Sequence, residues 1–222
     1  RVKDNNFTIN GLKGFDMHGK TLGVIGTGKI GKIFINIMSG FGMKILASDP
    51  YPDKEFAGKK NVEYVDLDKL YNESDIISLN CPMTKETYHI INEESIKKMK
   101  NNVMIVNTGR GQLIDSIALI GGLKNKQIGS AALDVYEEES KYFFEDFSNE
   151  IIDDDTLSIL LSLNNVLITS HQGFFTEEAL NNIATTTLEN ITEFFAGKKL
   201  TNEICYRCPG PGCKKKETGK CF

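Results

Sequence analysis

The chain has 222 residues, 40% of them hydrophobic and 25% charged, with a formal net charge of −4. That apolar share suffices for a packed core, while the mild acidity offers no basic face for nucleic acid and no polybasic patch for a membrane surface. Apolar runs such as 22–25 and 103–106 fall far short of the about 20 residues a membrane-crossing helix needs.

The opening RVKDNN reads as the continuation of something already under way. Beyond it, LGVI (22–25), KILAS (44–48), DIISL (75–79), VMIVN (103–107), GSAALDV (129–135) and VLIT (166–169) predict strands. Most are apolar without alternation, the mark of strands buried on both faces. Helices are predicted between them at about 28–40, 93–99, 115–124 and 156–162, the third with Asp115 as N-cap. The alternation predicts an α/β fold, a doubly wound parallel sheet with right-handed crossovers. Segment 137–155 is acidic and aromatic, a long excursion of the kind that often carries function. A long helix follows over 175–197, with Glu177 and Glu178 in its first turn and Gly197 at its stop.

Of five cysteines, Cys81 alone lies in the body, so no disulfide is expected there, which suits a reducing cytoplasm. Cys205, Cys208, Cys213 and Cys221 crowd the last residues with the spacing C-x2-C-x4-C-x7-C. With no His among them and no packed scaffold evident, 205–222 is expected to be a mobile tail and no metal site is assigned.

Gly26-Thr27-Gly28-Lys29-Ile30-Gly31 follows the first strand directly and opens a helix. In that βα setting Gly26 permits a tight turn, Gly28 lets backbone approach a pyrophosphate, and Gly31 allows helix to pack closely on strand. The amides near Lys29 and Ile30 then face an anion at the positive helix end. Eighteen residues beyond Gly31, Asp49 closes the second strand. A carboxylate there can accept both hydroxyls of an adenosine ribose and repels a 2′-phosphate, which favours NAD over NADP.

Ligands of open α/β sheets bind beyond the carboxyl ends of the strands, and three charged types fall there. Arg110 closes VMIVNTGR, Asp134 and Glu139 end and follow GSAALDVYEEE, and His171 closes VLITSH. A guanidinium grips a carboxylate through two hydrogen bonds. An imidazole can shuttle a proton, and a carboxylate beside it fixes its tautomer. Each alone is ambiguous: an Arg after a strand is often an ion-pair partner, and two carboxylates of EEE (137–139) are expected to be solvated bystanders. His18, in a turn before the first strand, and His89, in an ordinary helical or loop stretch, lack such company.

Taken together, GTGKIG, Asp49, NCPMTKET (80–87), NTGRG (107–111), DVYEEE (134–139) and SHQGFFT (170–176) resemble the D-isomer-specific 2-hydroxyacid dehydrogenases over roughly residues 1–204, most of all the fermentative D-lactate type. The resemblance implies a Rossmann-type NAD-binding domain over 20–174 and hydride transfer between NADH and C2 of pyruvate. It implies that Arg110 binds the substrate carboxylate, that His171 is the general acid paired with Glu139, and that Asp134 lies by the nicotinamide. Lys29 and Ile30 would meet the pyrophosphate, with Cys81, Pro82, Thr87, Thr108, Gly109 and Arg110 along the cofactor cleft. Phe174-Phe175 would favour a small substrate side chain. A small 2-oxoacid or 2-hydroxyacid partner, a homodimer and a cytoplasmic location belong to the same implication.

The family's separate N-terminal substrate domain is nearly all missing from these residues. Residues 1–19 resemble only the end of its hinge, and 175–204 the helix that returns toward it. The chain alone is therefore expected to bind NAD yet turn over poorly. Asn80 stands where many members carry His. Two other functions fit the same residues: a dehydrogenase of a bulkier 2-oxoacid, such as 2-oxoisocaproate, and a non-catalytic NAD-sensing module.

Overall fold

The computed structural model describes residues 1–60 and 62–204; the cysteine-rich tail, and with it the expectation of mobility there, lies outside the described residues. The chain divides into two compact units, Arg1–His171 and Gln172–Phe222.

The first unit is built on seven parallel strands, β1 (Thr21–Ile25), β2 (Lys44–Ser48), β3 (Val62–Tyr64), β4 (Ile76–Leu79), β5 (Val103–Asn107), β6 (Ile128–Leu133) and β7 (Val166–Ile168), in the order β3-β2-β1-β4-β5-β6-β7. The connections carry helices α1 (Lys29–Ser39), α2 (Lys54–Lys60), α3 (Leu67–Glu73), α4 (Glu93–Lys98), α5 (Ser116–Lys124) and α6 (Asp155–Ser162). Strand order reverses between β1 and β4, and the crevice opens at their carboxyl ends.

The largely apolar, non-alternating sequences of β1 and β4 are explained by burial on both faces. Ile76 belongs to one apolar cluster, with Leu22, Val24 and Ile35. Ile77 and Leu79 belong to a second, with Ile105, Leu119 and Leu133, because successive side chains of a strand face opposite sides. Two of the helix starts are fixed by side-chain caps: Asp115 accepts from Ile117 N–H and Ala118 N–H, both at 3.0 Å, and Asp154 accepts from Leu157 N–H at 2.9 Å.

Between β2 and β4 the sequence predicted neither strand nor helix, yet α2, β3 and α3 lie there. β3 has three residues and each helix seven, too short for periodicity to register. Asp66, accepting from Lys69 N–H at 2.8 Å, is the local signal that could have revealed α3.

In the second unit α7 spans Glu177–Phe195, capped by the Thr176 hydroxyl, which accepts from Ala179 N–H at 3.2 Å. Gly197 follows in the left-handed region with φ +64°. Among the described residues no helix is long and apolar enough to cross a membrane, and no group of His, Cys, Asp and Glu could hold a metal ion.

Candidate active site

The turn from β1 into α1 begins at Gly26, whose φ of +93° favours glycine and whose missing Cβ would lie 2.6 Å from Cys81 N. A Cβ on Gly31 would meet the Gly26 carbonyl oxygen, so helix and strand approach only because both are bare. Gly28 is the N-cap of α1 and no side chain caps that helix. A Cβ built on Gly28 meets nothing within 4 Å. The first-turn amides at Lys29 and Ile30 therefore open onto free space at the positive end of an eleven-residue helix, which fits a pyrophosphate.

Asp49 stands beside this turn. Its Oδ2 accepts from Thr27 N–H at 2.6 Å and from the Thr27 hydroxyl at 2.9 Å, and its Oδ1 accepts from Tyr51 N–H at 2.8 Å. Partial burial pushes the carboxyl up, but these bonds, led by the Thr27 N–H and aided by Lys32, outweigh it and hold Asp49 below the usual carboxylate range. Three of about four lone-pair sites are thus in use. That leaves room for one further donor, and the second ribose hydroxyl expected here requires the Thr27 hydroxyl to turn away. Tyr64, on β3, donates to that hydroxyl at 2.9 Å, a brace the sequence reading missed along with its strand.

The adjoining wall is a cleft of about 490 Å³ lined in part by Ile30, Cys81, Pro82, Thr108, Gly109 and Arg110. Burial, more than any neighbouring charge, pushes the Cys81 thiol up. Thr87 has a different part: its hydroxyl donates to the Pro82 carbonyl at 2.7 Å and accepts from Thr84 N–H at 2.7 Å, bracing the loop rather than facing the cleft. Asn80 turns its side-chain amide to the Ser78 hydroxyl at 3.0 Å.

Beyond β5, β6 and β7 the ladder continues as a row of polar residues. Asp134 N–H donates to the Asn107 carbonyl at 2.9 Å, and His171 N–H donates to the Asp134 carbonyl at 2.8 Å. Asn107, on β5 and 1% exposed, shapes the next turn: its Oδ1 accepts from Gly109 N–H at 3.0 Å and its Nδ2 donates to the Arg110 carbonyl at 2.9 Å. Arg110 itself is exposed, with Nη1 donating to the Gly109 carbonyl at 2.7 Å. Asp134 is buried, and the Thr169 hydroxyl donates to its Oδ1 at 2.5 Å.

His171 Nδ1 lies 3.0 Å from Glu139 Oε1, while Glu139 Oε2 accepts from Tyr136 N–H at 3.0 Å. Both side chains are half-buried, and His171 has φ +52°, an uncommon backbone region for a residue with a side chain. Imidazole, carboxylate and guanidinium thus sit at the carboxyl ends of successive strands of one sheet.

Glu137 is no solvated bystander. Its Oε1 lies 2.7 Å from His89 Nε2, and its Oε2 accepts from Ser116 N–H at 2.8 Å. Gln112 Nε2 donates to its carbonyl at 3.1 Å. His89, with φ +49°, stacks on Tyr88 at 3.9 Å and is bound into this network, so it does not lack the company that the sequence left it without. Glu138 alone of the three keeps to the surface, paired with Lys141 at 2.8 Å. Only the loop that brings 89 beside 137 reveals the pair; no spacing in the sequence announces it. Phe174 and Phe175 belong to the second unit, where their rings meet edge-on at 6.1 Å.

A parallel sheet that reverses strand order at a glycine turn, with an acid closing β2, defines a Rossmann-type dinucleotide-binding protein. Residues 1–173 match the family model described as "D-isomer specific 2-hydroxyacid dehydrogenase, NAD binding domain". D-lactate dehydrogenase of Escherichia coli is 54% identical over 204 residues, 92% of this chain and 62% of that protein. An aromatic 2-oxoacid reductase of Clostridium sporogenes is 50% identical over 194 residues, 87% of this chain and 58% of that protein. The solved pyruvate reductase of Chlamydomonas reinhardtii superposes with a TM-score of 0.87 at 43% identity, over 91% of this chain and 61% of that one. The chain belongs to the D-isomer-specific 2-hydroxyacid dehydrogenases, and its cofactor is NAD. It spans about three-fifths of the relatives it matches.

Proposed function

We propose that the protein carrying this chain reduces a small 2-oxoacid, pyruvate, to the D-2-hydroxyacid with NADH, and runs the reverse reaction. The observation that carries this reading is the His171–Glu139 pair, at 3.0 Å, set beyond β7 and two strands from the turn that holds Arg110. When bound, the dinucleotide supplies or accepts the hydride at C2.

In this reading the Gly26–Gly31 turn and the start of α1 hold the pyrophosphate, and Asp49 takes an adenosine ribose hydroxyl. Arg110 binds the substrate carboxylate through its guanidinium fork and stabilises negative charge on the carbonyl oxygen. With Nδ1–H given to Glu139, Nε2 of His171 is the nitrogen left to face substrate. In reduction, His171 gives its Nε2 proton to the carbonyl oxygen, which becomes the hydroxyl; in oxidation it takes that proton back. Glu139 stabilises the protonated ring and holds its plane, itself fixed by Tyr136 N–H. Cys81 and Pro82 line the cleft beside Arg110.

The test is stereochemical. With NAD, the whole protein is expected to oxidise D-lactate and leave L-lactate untouched; oxidation of neither, with tight NAD binding, would favour a sensing module instead.

A further inference from the structure

Phe144 lies in the excursion between β6 and α6, beyond the residues given roles above. Its two predecessors are tied down: Tyr142 and Phe143 pack against the larger apolar cluster. The Tyr142 hydroxyl donates to the Asp153 carbonyl at 2.9 Å, and Phe143 N–H donates to the Glu139 carbonyl at 2.8 Å. At Phe144 the chain turns with φ +73°, a region that bulky side chains avoid. The ring so held is 72% exposed, so burial does not explain a phenylalanine at a position where glycine or asparagine would sit with less strain.

What the ring does have is a neighbour. Its centroid lies 6.1 Å from that of the His171 imidazole, with the planes tilted by 36°, within the range of ring–ring contact. Strained backbone of this kind is kept where the side chain's placement matters.

We propose that Phe144 is a specificity-determining residue: its ring is the apolar wall beside the proton-donating imidazole, against which the C2 substituent of the 2-oxoacid packs. The wall limits the room beside His171 and selects short, unbranched side chains over bulky ones. This rests on the role given to His171 above.

The experiment compares the whole protein with its Phe144→Leu and Phe144→Ala variants. The ratio of kcat/KM for 2-oxoisocaproate to that for pyruvate is expected to rise at least about tenfold in Phe144→Ala, with Phe144→Leu between, since one methylene of pocket space discriminates by about 10- to 200-fold. A second readout needs no turnover: in protein labelled with ¹³C-histidine, the His171 ring resonance shifts when the adjacent aromatic ring is removed. Should the wild type turn over pyruvate while the ratio moves less than twofold, or falls, the proposal is overturned and the catalytic reading stands. A wild type that reduces neither acid overturns both. An unmoved His171 resonance removes the contact on which the wall depends.

Discussion

The side-chain amide of Asn107 donates to the Arg110 carbonyl at 2.9 Å, so the guanidinium is carried on a turn whose shape is set by a buried residue of β5. The same side chain accepts from Gly109 N–H. Replacing Asn107 with Ala leaves two backbone groups without their partner, a loss of about 1–3 kcal/mol. Expected together are a lower unfolding midpoint and a KM for 2-oxoacid raised about tenfold. Urea unfolding and steady-state kinetics on the whole protein check both; an unchanged KM would separate Asn107 from the substrate.

Asp49, the residue proposed to take an adenosine ribose hydroxyl, is engaged by Thr27 and Tyr51. Its removal in Asp49→Ala should weaken NADH binding about tenfold, the worth of one charged hydrogen bond. It should also relax discrimination against NADPH, because the charge that repels a 2′-phosphate is gone. Fluorescence titration with both cofactors measures this, and a preserved NADH-to-NADPH ratio would count against the assignment.

Asp75 precedes β4 and accepts from Thr21 N–H at 2.8 Å, with Lys100 at 3.2 Å. Burial raises its carboxyl, but the Thr21 amide and Lys100 prevail and hold it below the usual range. A depressed carboxyl stabilises fully above its unfolded pKa of about 3.9 and loses that stabilisation as pH falls through the folded value. Wild type and Asp75→Asn should therefore differ near neutrality and converge below about pH 4 in a urea series. A gap that stays constant down to the most acidic stable pH contradicts this.

Cys81 borders the cleft with its thiol pushed up by burial. Alkylation by iodoacetamide should be slow at pH 7, climb toward pH 9 as thiolate forms, and slow again with NADH bound. Peptide mapping separates Cys81 from the four cysteines after residue 204. Rapid labelling indifferent to cofactor would remove Cys81 from the cleft.

Long apolar strands and the glycine turn were legible because each carries a local signature, a run buried on both faces or a fixed spacing. Asp115 was legible as a cap for the same reason. Between β2 and β4 the elements are only three to seven residues long, so the signal was too brief. The roles of Asn107, Glu137, His89 and Phe144 depend on who sits beside them in space. Asn107 ends an apolar strand and was visible only as a motif letter. Glu137 and Glu139 look alike in sequence, but one turns to His89 and Ser116, the other to His171 and Tyr136.

The most direct test of a convergent guanidinium, imidazole and carboxylate is turnover of the His171→Gln variant measured beside its NADH affinity. Expected is a kcat for pyruvate reduction lower by about 10²- to 10⁴-fold, as loss of a general acid costs, with the NADH dissociation constant unchanged. Turnover near that of the wild type would contradict the assignment of proton transfer to His171.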